Sequence, residues 1–192
     1  MSKKIGLLFG IFNPVHNGHI DVGEIVMKEI NFDEVWYLVT PFYNKKPENN
    51  LIKYSERINI LNIATKNHPN LIVKDFEKKM SPPYYTIQTL NFLKKFNNSF
   101  SIIMGEDNFN NIETWKECEK ILEEYKIIVY PRKNSSVKNN YQKSKSIIKI
   151  KNNFINVSSS YIVENFNNYR KIKNMINHQV YDYIKTTKCL NR

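Results

Sequence analysis

The stretch that most constrains the fold of this chain is Gly10-Ile11-Phe12-Asn13-Pro14-Val15-His16-Asn17-Gly18-His19. An apolar run of strand length, Ile5 to Phe9, precedes it, and Ile20 to Ile30, with a helical pattern, follows. Gly10, directly after the strand, allows a turn that brings backbone N–H groups close to a ligand, and the helix N-terminus beyond favours negative charge. Asn13-Pro14 favours extended or turn geometry, which predicts His16 and His19 at the strand-to-helix corner and not buried inside an element. Two imidazoles three residues apart in a first helical turn can point to one side and share one anion, such as a phosphate.

The same alternation continues along the chain. Glu34 to Thr40 is a second predicted strand, stopped by Pro41, and Pro41 to Asn50 is a polar loop with Lys45 and Lys46. Ser55 to Lys66 is a predicted helix, with Ser55 as its cap and Ile58, Leu61 and Thr65 on one side. Leu71 to Phe76 follows as a strand. Tyr85 to Phe96 is a predicted helix because Ile87, Leu90 and Leu93 recur every three residues, with Lys94 and Lys95 on the wet side. Phe100 to Met104 is a strand closed by Gly105, Glu113 to Glu124 a helix, Lys126 to Tyr130 a fifth strand and Phe154 to Val157 a short sixth. Strands separated by helices of this length give right-handed crossovers and a parallel sheet covered on both faces. The expected fold is α/β, a Rossmann-like doubly wound parallel sheet. Ligands of such sheets sit beyond the carboxyl ends of the strands, near the point where strand order reverses. That directs attention to Gly10–His19, Pro41–Lys46, Gly105–Asn108, Pro131–Arg132 and Ser158–Ser160.

At 192 residues, with 41% hydrophobic content, the chain is long enough for a single domain with a proper core. No apolar run approaches the roughly 20 residues of a membrane span and the start lacks a signal-like segment, so a cytoplasmic protein is expected. Cys118 and Cys189 are isolated and lack metal-like spacing, consistent with reduced thiols. Residues 1–131 carry 16 basic and 16 acidic side chains, so the whole +11 excess lies beyond them. A Lys/Asn/Ser-rich basic insertion is expected at about 133–153 and a C-terminal helical part at about 159–187. The basic stretch has few aromatics for base stacking, which argues against nucleic acid and for a solvated loop that favours anionic substrates.

The pattern G-x-F-x-P-x-H-x-G-H resembles the signature of the nucleotidyltransferase superfamily that includes the nicotinate and nicotinamide mononucleotide adenylyltransferases, phosphopantetheine adenylyltransferase and the cytidylyltransferases. The resemblance implies that His16 and His19 hold nucleotide phosphates while Gly10, Ile11, Phe12, Asn17 and Gly18 shape the ATP-binding turn. Val157-Ser158-Ser159-Ser160-Tyr161-Ile162 is similar to the I-S-S-[ST]-x-x-R motif of the adenylyltransferases, with Ser158, Ser159 and Ser160 closing on ATP. The family's phosphate-binding Arg falls on Val163, a departure. Lys45 and Lys46, or Arg132, are the cations available to replace it, and the lysine pair is the favoured one. Pro83-Tyr84-Tyr85-Thr86-Ile87-Gln88-Thr89 is similar to the P-S-Y-T-x-x-T stretch of bacterial nicotinate mononucleotide adenylyltransferases. Gly105-Glu106-Asp107-Asn108, followed by Trp115, resembles their G-x-D segment and ring-stacking Trp. This implies that Tyr85, Thr86, Gly105, Asp107 and Trp115 receive the mononucleotide. The implied reaction moves AMP from ATP to nicotinate mononucleotide, with Mg2+ as the ATP counter-ion and no protein-held metal, in a monomer or homo-oligomer. Phosphopantetheine adenylyltransferase, or a nucleotide- or RNA-binding protein with a decayed site, is the alternative, and nicotinate against nicotinamide mononucleotide stays open.

Overall fold

Six parallel strands lie in the order β3-β2-β1-β4-β5-β6. In this computed structural model residues 2–42, 51–132, 140–152 and 157–190 are described. The strands are β1 (Lys4–Gly10), β2 (Glu34–Val39), β3 (Leu71–Lys74), β4 (Ser99–Gly105), β5 (Lys126–Tyr130) and β6 (Ile147–Lys149). β1 is central, with Leu8 opposite Tyr37 of β2 on one side and Ile103 of β4 on the other. Strand order reverses between β1 and β4, so their carboxyl ends, Gly10 and Gly105, diverge and leave a crevice.

The period-two alternation of the strands fills both faces. Leu8, Val35, Tyr37 and Val39 pack on one side with Val22 and Val26 of α1 (Asn17–Ile30), Ile60 and Leu61 of α2 (Tyr54–Thr65), and Val180 and Ile184 of the C-terminal part. Ile5, Leu7, Trp36, Leu38 and Ile102 pack on the other with Ile87, Leu90 and Leu93 of α3 (Thr86–Leu93). Burial on both faces is why these strands are continuous apolar runs. The chain continues through α4 (Glu106–Phe109), α5 (Cys118–Glu124), α6 (Ser159–Glu164), α7 (Tyr169–Ile172) and α8 (His178–Thr187). Among the described residues no helix is long and apolar enough to cross a membrane, and Cys118 and Cys189 are free.

Several expected boundaries differ. The third strand stops at Lys74, and Phe76 opens a 3₁₀ turn, Phe76–Lys79, in which Glu77 is buried. Helix α2 begins at Tyr54, with Lys53 at its cap position and no side-chain cap, so Ser55 lies inside the first turn. Its buried face is Arg57, Ile60, Leu61, Ala64 and Thr65, and Ile58 is only half-buried. The expected helix Glu113–Glu124 is broken into a 3₁₀ turn, Ile112–Thr114, and α5, because Glu117 adopts a left-handed φ of 55° between them. The sixth strand is Ile147–Lys149, inside the segment read as a basic insertion, paired through Ile147 opposite Ile127. Of the stretch read as the sixth strand, residues 154–156 lie outside the described residues and Val157 is buried without strand structure.

Candidate active site

Beyond the ends of β1 and β4 lies a cleft of about 650 Å³. Gly10, Ile11 and Phe12 form its floor, His19 enters from α1, Asp107 and Asn108 from α4, Tyr130 and Arg132 from the end of β5, and Ser159, Ser160, Val163 and Glu164 from α6. Elements far apart in sequence thus converge where the topology predicts a ligand.

The floor is set by backbone. Phe12 has a left-handed φ of 51°, a conformation that costs a bulky residue about 1–2 kcal/mol and needs surrounding contacts to hold it. Its ring is buried, lies edge-on to the His19 ring at 5.0 Å, and packs against Tyr37 at 5.7 Å. Gly10 is required here, since a Cβ would come within 2.9 Å of the Phe12 ring. Phe12 therefore serves as a buttress that sets the position of His19.

His16 occupies the N-cap position of α1 and His19 its third residue, so, against the expectation of an unburied corner, His19 lies within the first turn and His16 is buried. The two rings stack at 3.7 Å with 21° between planes. The His16 backbone N–H donates to His19 Nδ1 at 3.3 Å. A neutral imidazole has one acceptor and one donor nitrogen, so an accepting Nδ1 leaves the proton on Nε2 of His19, available to a ligand oxygen. Both rings are neutral at ordinary pH. Burial, then the Arg132 charge, brings His16 down to about 3. Burial, then His16 and Arg132, holds His19 well below its usual value. The His16 side chain faces the His19 backbone N–H in a capping-box arrangement, and its buried Nδ1 makes no closer hydrogen bond among the described residues.

The opposite wall is held more loosely. Arg132 Nη2 donates to the Tyr130 hydroxyl at 3.1 Å, and the guanidinium lies over the Tyr130 ring at 5.1 Å. Its Nε is ion-paired with Asp107 Oδ1 at 3.7 Å, too far for a hydrogen bond, and makes no hydrogen bond among the described residues. Gly105 makes this approach possible, because a Cβ there would lie 2.4 Å from Asp107 Oδ1. Ser158 caps α6 by accepting from the Tyr161 N–H at 3.2 Å, and the Ser159 hydroxyl donates to the Pro14 carbonyl at 2.9 Å, joining α6 to the floor. The Val163 side chain position faces the same cleft as Arg132.

Of the residues expected from the sequence, Gly10, Ile11, Phe12, His19, Asp107, Arg132, Ser159 and Ser160 line the cleft. His16 stands behind His19. Asn17 is turned to the C-terminal part, its N–H and side chain donating to the carbonyls of Met175 and Asn174 at 2.8 and 3.1 Å. Gly18 is buried in α1 and Ser158 is used as a cap. Tyr85, Thr86 and Trp115 lie outside the cleft lining. They belong to one neighbourhood, since Lys116, next to Trp115, places its Nζ 4.9 Å from the Tyr85 ring centroid, and both aromatics pack on the α3 side of the sheet. Lys45 and Lys46 lie outside the described residues.

The cytidylyltransferase-like family matches residues 7–165. A Flavobacterium psychrophilum protein named probable nicotinate-nucleotide adenylyltransferase is 39% identical over 184 residues, covering 94% of this chain and 95% of that one. The chain belongs to the nicotinate-nucleotide adenylyltransferase family. A second such adenylyltransferase, named in the same way, from Cytophaga hutchinsonii is 33% identical over 96% of this chain and 97% of its own. The solved Plasmodium falciparum nicotinic acid mononucleotide adenylyltransferase complexed with NaAD shares the fold, with a TM-score of 0.78 over 98% of both chains at 24% identity. As an adenylyltransferase of this family the protein is a nucleotidyltransferase, and the phosphopantetheine and decayed-site alternatives are not favoured.

One residue of this adenylyltransferase site escaped the sequence reading. Arg57 is 1% exposed and donates to backbone carbonyls at the floor of the cleft. The signal was present in the spacing: Arg57, Ile60, Leu61 and Ala64 stand at i, i+3, i+4 and i+7, one helical face. An arginine on an otherwise apolar face is either misassigned or buried for a reason.

Proposed function

We propose that the cleft binds ATP and that the chain moves AMP from ATP to nicotinate mononucleotide, forming deamido-NAD and pyrophosphate. An oxygen of the acceptor phosphate attacks the α-phosphorus of ATP, the α–β phosphoanhydride bond breaks, and its electron pair leaves with pyrophosphate. The attacking phosphate is already ionised near neutral pH, so no general base is needed. Catalysis comes from in-line positioning and from charge neutralisation. The observation that carries this reading is the stacked His16–His19 pair at the divergence of β1 and β4, neutral, with a protonated Nε2 on His19.

In this reading the His19 Nε2–H donates to a phosphate oxygen and Arg132 neutralises the polyphosphate from the opposite wall, in place of the family cation missing at Val163. Lys45 and Lys46 are further candidates for that charge. Asp107 accepts hydrogen bonds from a ribose. Trp115, Tyr85 and the start of α3 receive the pyridine ring of the mononucleotide, a flat, electron-poor ring that suits an aromatic face. Magnesium, when bound to ATP, supplies further neutralisation of the triphosphate. The cleft lining offers two carboxylates, Asp107 and Glu164, and no group of three His, Cys, Asp or Glu gathers among the described residues. That donor set fits an ion carried by the nucleotide. The cytoplasm is the proposed setting. Pyrophosphate release, measured with ATP and in turn nicotinate mononucleotide, nicotinamide mononucleotide and phosphopantetheine, tests the reading. Fastest turnover with nicotinate mononucleotide is expected, and turnover with phosphopantetheine alone overturns it.

A further inference from the structure

We infer that Arg57 is a positioning residue of the phosphate-binding turn, acting on His19 through the backbone and Phe12 without touching substrate. The inference rests on the reaction proposed above. Arg57 lies in the first half of α2 and gathers carbonyls from three separate segments. Nη1 donates to Ile11 O at 2.7 Å and Thr40 O at 2.8 Å, Nη2 donates to Pro41 O, and Nε donates to Ile52 O at 2.9 Å. These carbonyls stand just past β1, at the end of β2 and just before α2. The same junction is tied twice more: Thr40 N–H donates to Gly10 O at 2.9 Å, and Ile52 N–H donates to Asn13 Oδ1 at 2.8 Å.

The physical reason for an arginine here follows from what strand ends expose. The carbonyls at the carboxyl ends of parallel strands have no ladder partners, and an oxygen turned towards the cleft would repel a phosphate. A carbonyl fixed on Arg57 cannot turn that way. A buried guanidinium loses its hydration and must regain it through hydrogen bonds, and several carbonyls supply that. Its planar fork also fixes their directions, which an ammonium on a flexible stem would not. Ile11 matters most, because its carbonyl immediately precedes Phe12, whose left-handed backbone directs the ring against His19 at 5.0 Å. A packed hydrophobic side chain could stabilise α2 equally well, but it could not hold Ile11, Thr40, Pro41 and Ile52 in register.

The test uses the full chain with Arg57→Lys, Phe12→Leu and the double variant, each followed by thermal melting and by steady-state kinetics in both substrates. Wild-type pyrophosphate release is measured first, so its absence counts against the proposed reaction and not against Arg57. Arg57→Lys should lower kcat/KM for ATP by about 100-fold, the scale of a misplacement of about 1 Å in an active site, while KM for the mononucleotide stays within about twofold. Phe12→Leu should lower kcat/KM for ATP by about tenfold, and the double variant should be no worse than Arg57→Lys alone, as residues in one chain of contacts are not additive. A lowered melting temperature with unchanged kinetic constants in Arg57→Lys overturns the inference, as does a double variant that multiplies the single losses. Should Arg57→Lys not fold, unchanged ATP kinetics in Phe12→Leu overturn it alone.

Discussion

The two walls of the cleft are built on different principles. On the β1 side, buried groups and backbone hydrogen bonds set every functional atom: Arg57 is 1% and His16 4% exposed, and Phe12 and His19 are locked ring against ring. On the β5–α6 side, charge is carried by side chains in partial contact with solvent, Arg132 at 30% and Asp107 at 58% exposure, 3.7 Å apart. In the proposed reaction the first wall supplies direction and the second supplies charge. A direction imposed by a packed turn has no substitute nearby, whereas a charge can be delivered into the same space from another position. In the proposed reaction this difference accounts for Val163 where the resemblance calls for arginine, since Val163 and Arg132 border one cleft.

The largest effect should come from the first wall. His19→Ala should reduce turnover by about two orders of magnitude or more, the usual result of removing a donor to charge that develops in the transition state. The fold should be retained, because the turn keeps the Arg57 and Thr40 hydrogen bonds to Ile11 and Gly10. Unchanged turnover would make the first wall a scaffold and remove the contrast.

On the second wall the loss should be smaller and repairable. Arg132→Ala should lower kcat/KM for ATP by about 30-fold, in keeping with a partly exposed charge-assisted contact. Val163→Arg should change the intact protein modestly and recover about tenfold in the Arg132→Ala background. If instead the Lys45→Ala, Lys46→Ala pair loses more than Arg132→Ala, and Val163→Arg rescues that pair, the charge comes from Lys45 and Lys46.

A third measurement separates both walls from the acceptor region. Trp115→Ala should weaken nicotinate mononucleotide by about 1–2 kcal/mol through lost stacking, with ATP affinity retained. Equal losses for both substrates would assign Trp115 to the core.

The smallest effect concerns the neutral histidines. His16 titrates at about 3 in the folded chain and near 6.5 when unfolded, so between these values the unfolded state binds the extra proton. Stability is therefore fully present above pH 6.5 and falls as pH drops below it, by about 1 kcal/mol from pH 7 to pH 5.5 for such a histidine. His19, depressed in the same direction, adds to this slope. His16→Asn should flatten the loss in urea melts at the two pH values, and an unchanged slope would show that the ring is hydrated and charged in the native state.

Much of this was legible in one dimension. The strand-to-helix corner at Gly10–His19, the five strand runs up to Tyr130 and the buried Ile87, Leu90 and Leu93 follow from periodicity and turn chemistry, which depend on residues two to four positions apart. These signals imposed the α/β class, the parallel sheet, the end of the sheet at which the cleft opens and, with the resemblance, the family. Long-range packing decided the remainder. Ile147–Lys149 and Phe154–Val157 are similar short apolar runs, and the choice between them depends on which can lie beside β5. Glu117 breaks the expected helix by a backbone conformation that no spacing announces. The neutrality of His16 and His19, the burial of Arg57 and the shared cleft of Arg132 and Val163 exist only once distant segments meet, because desolvation and proximity across the sheet are properties of the folded surface and not of neighbours along the chain.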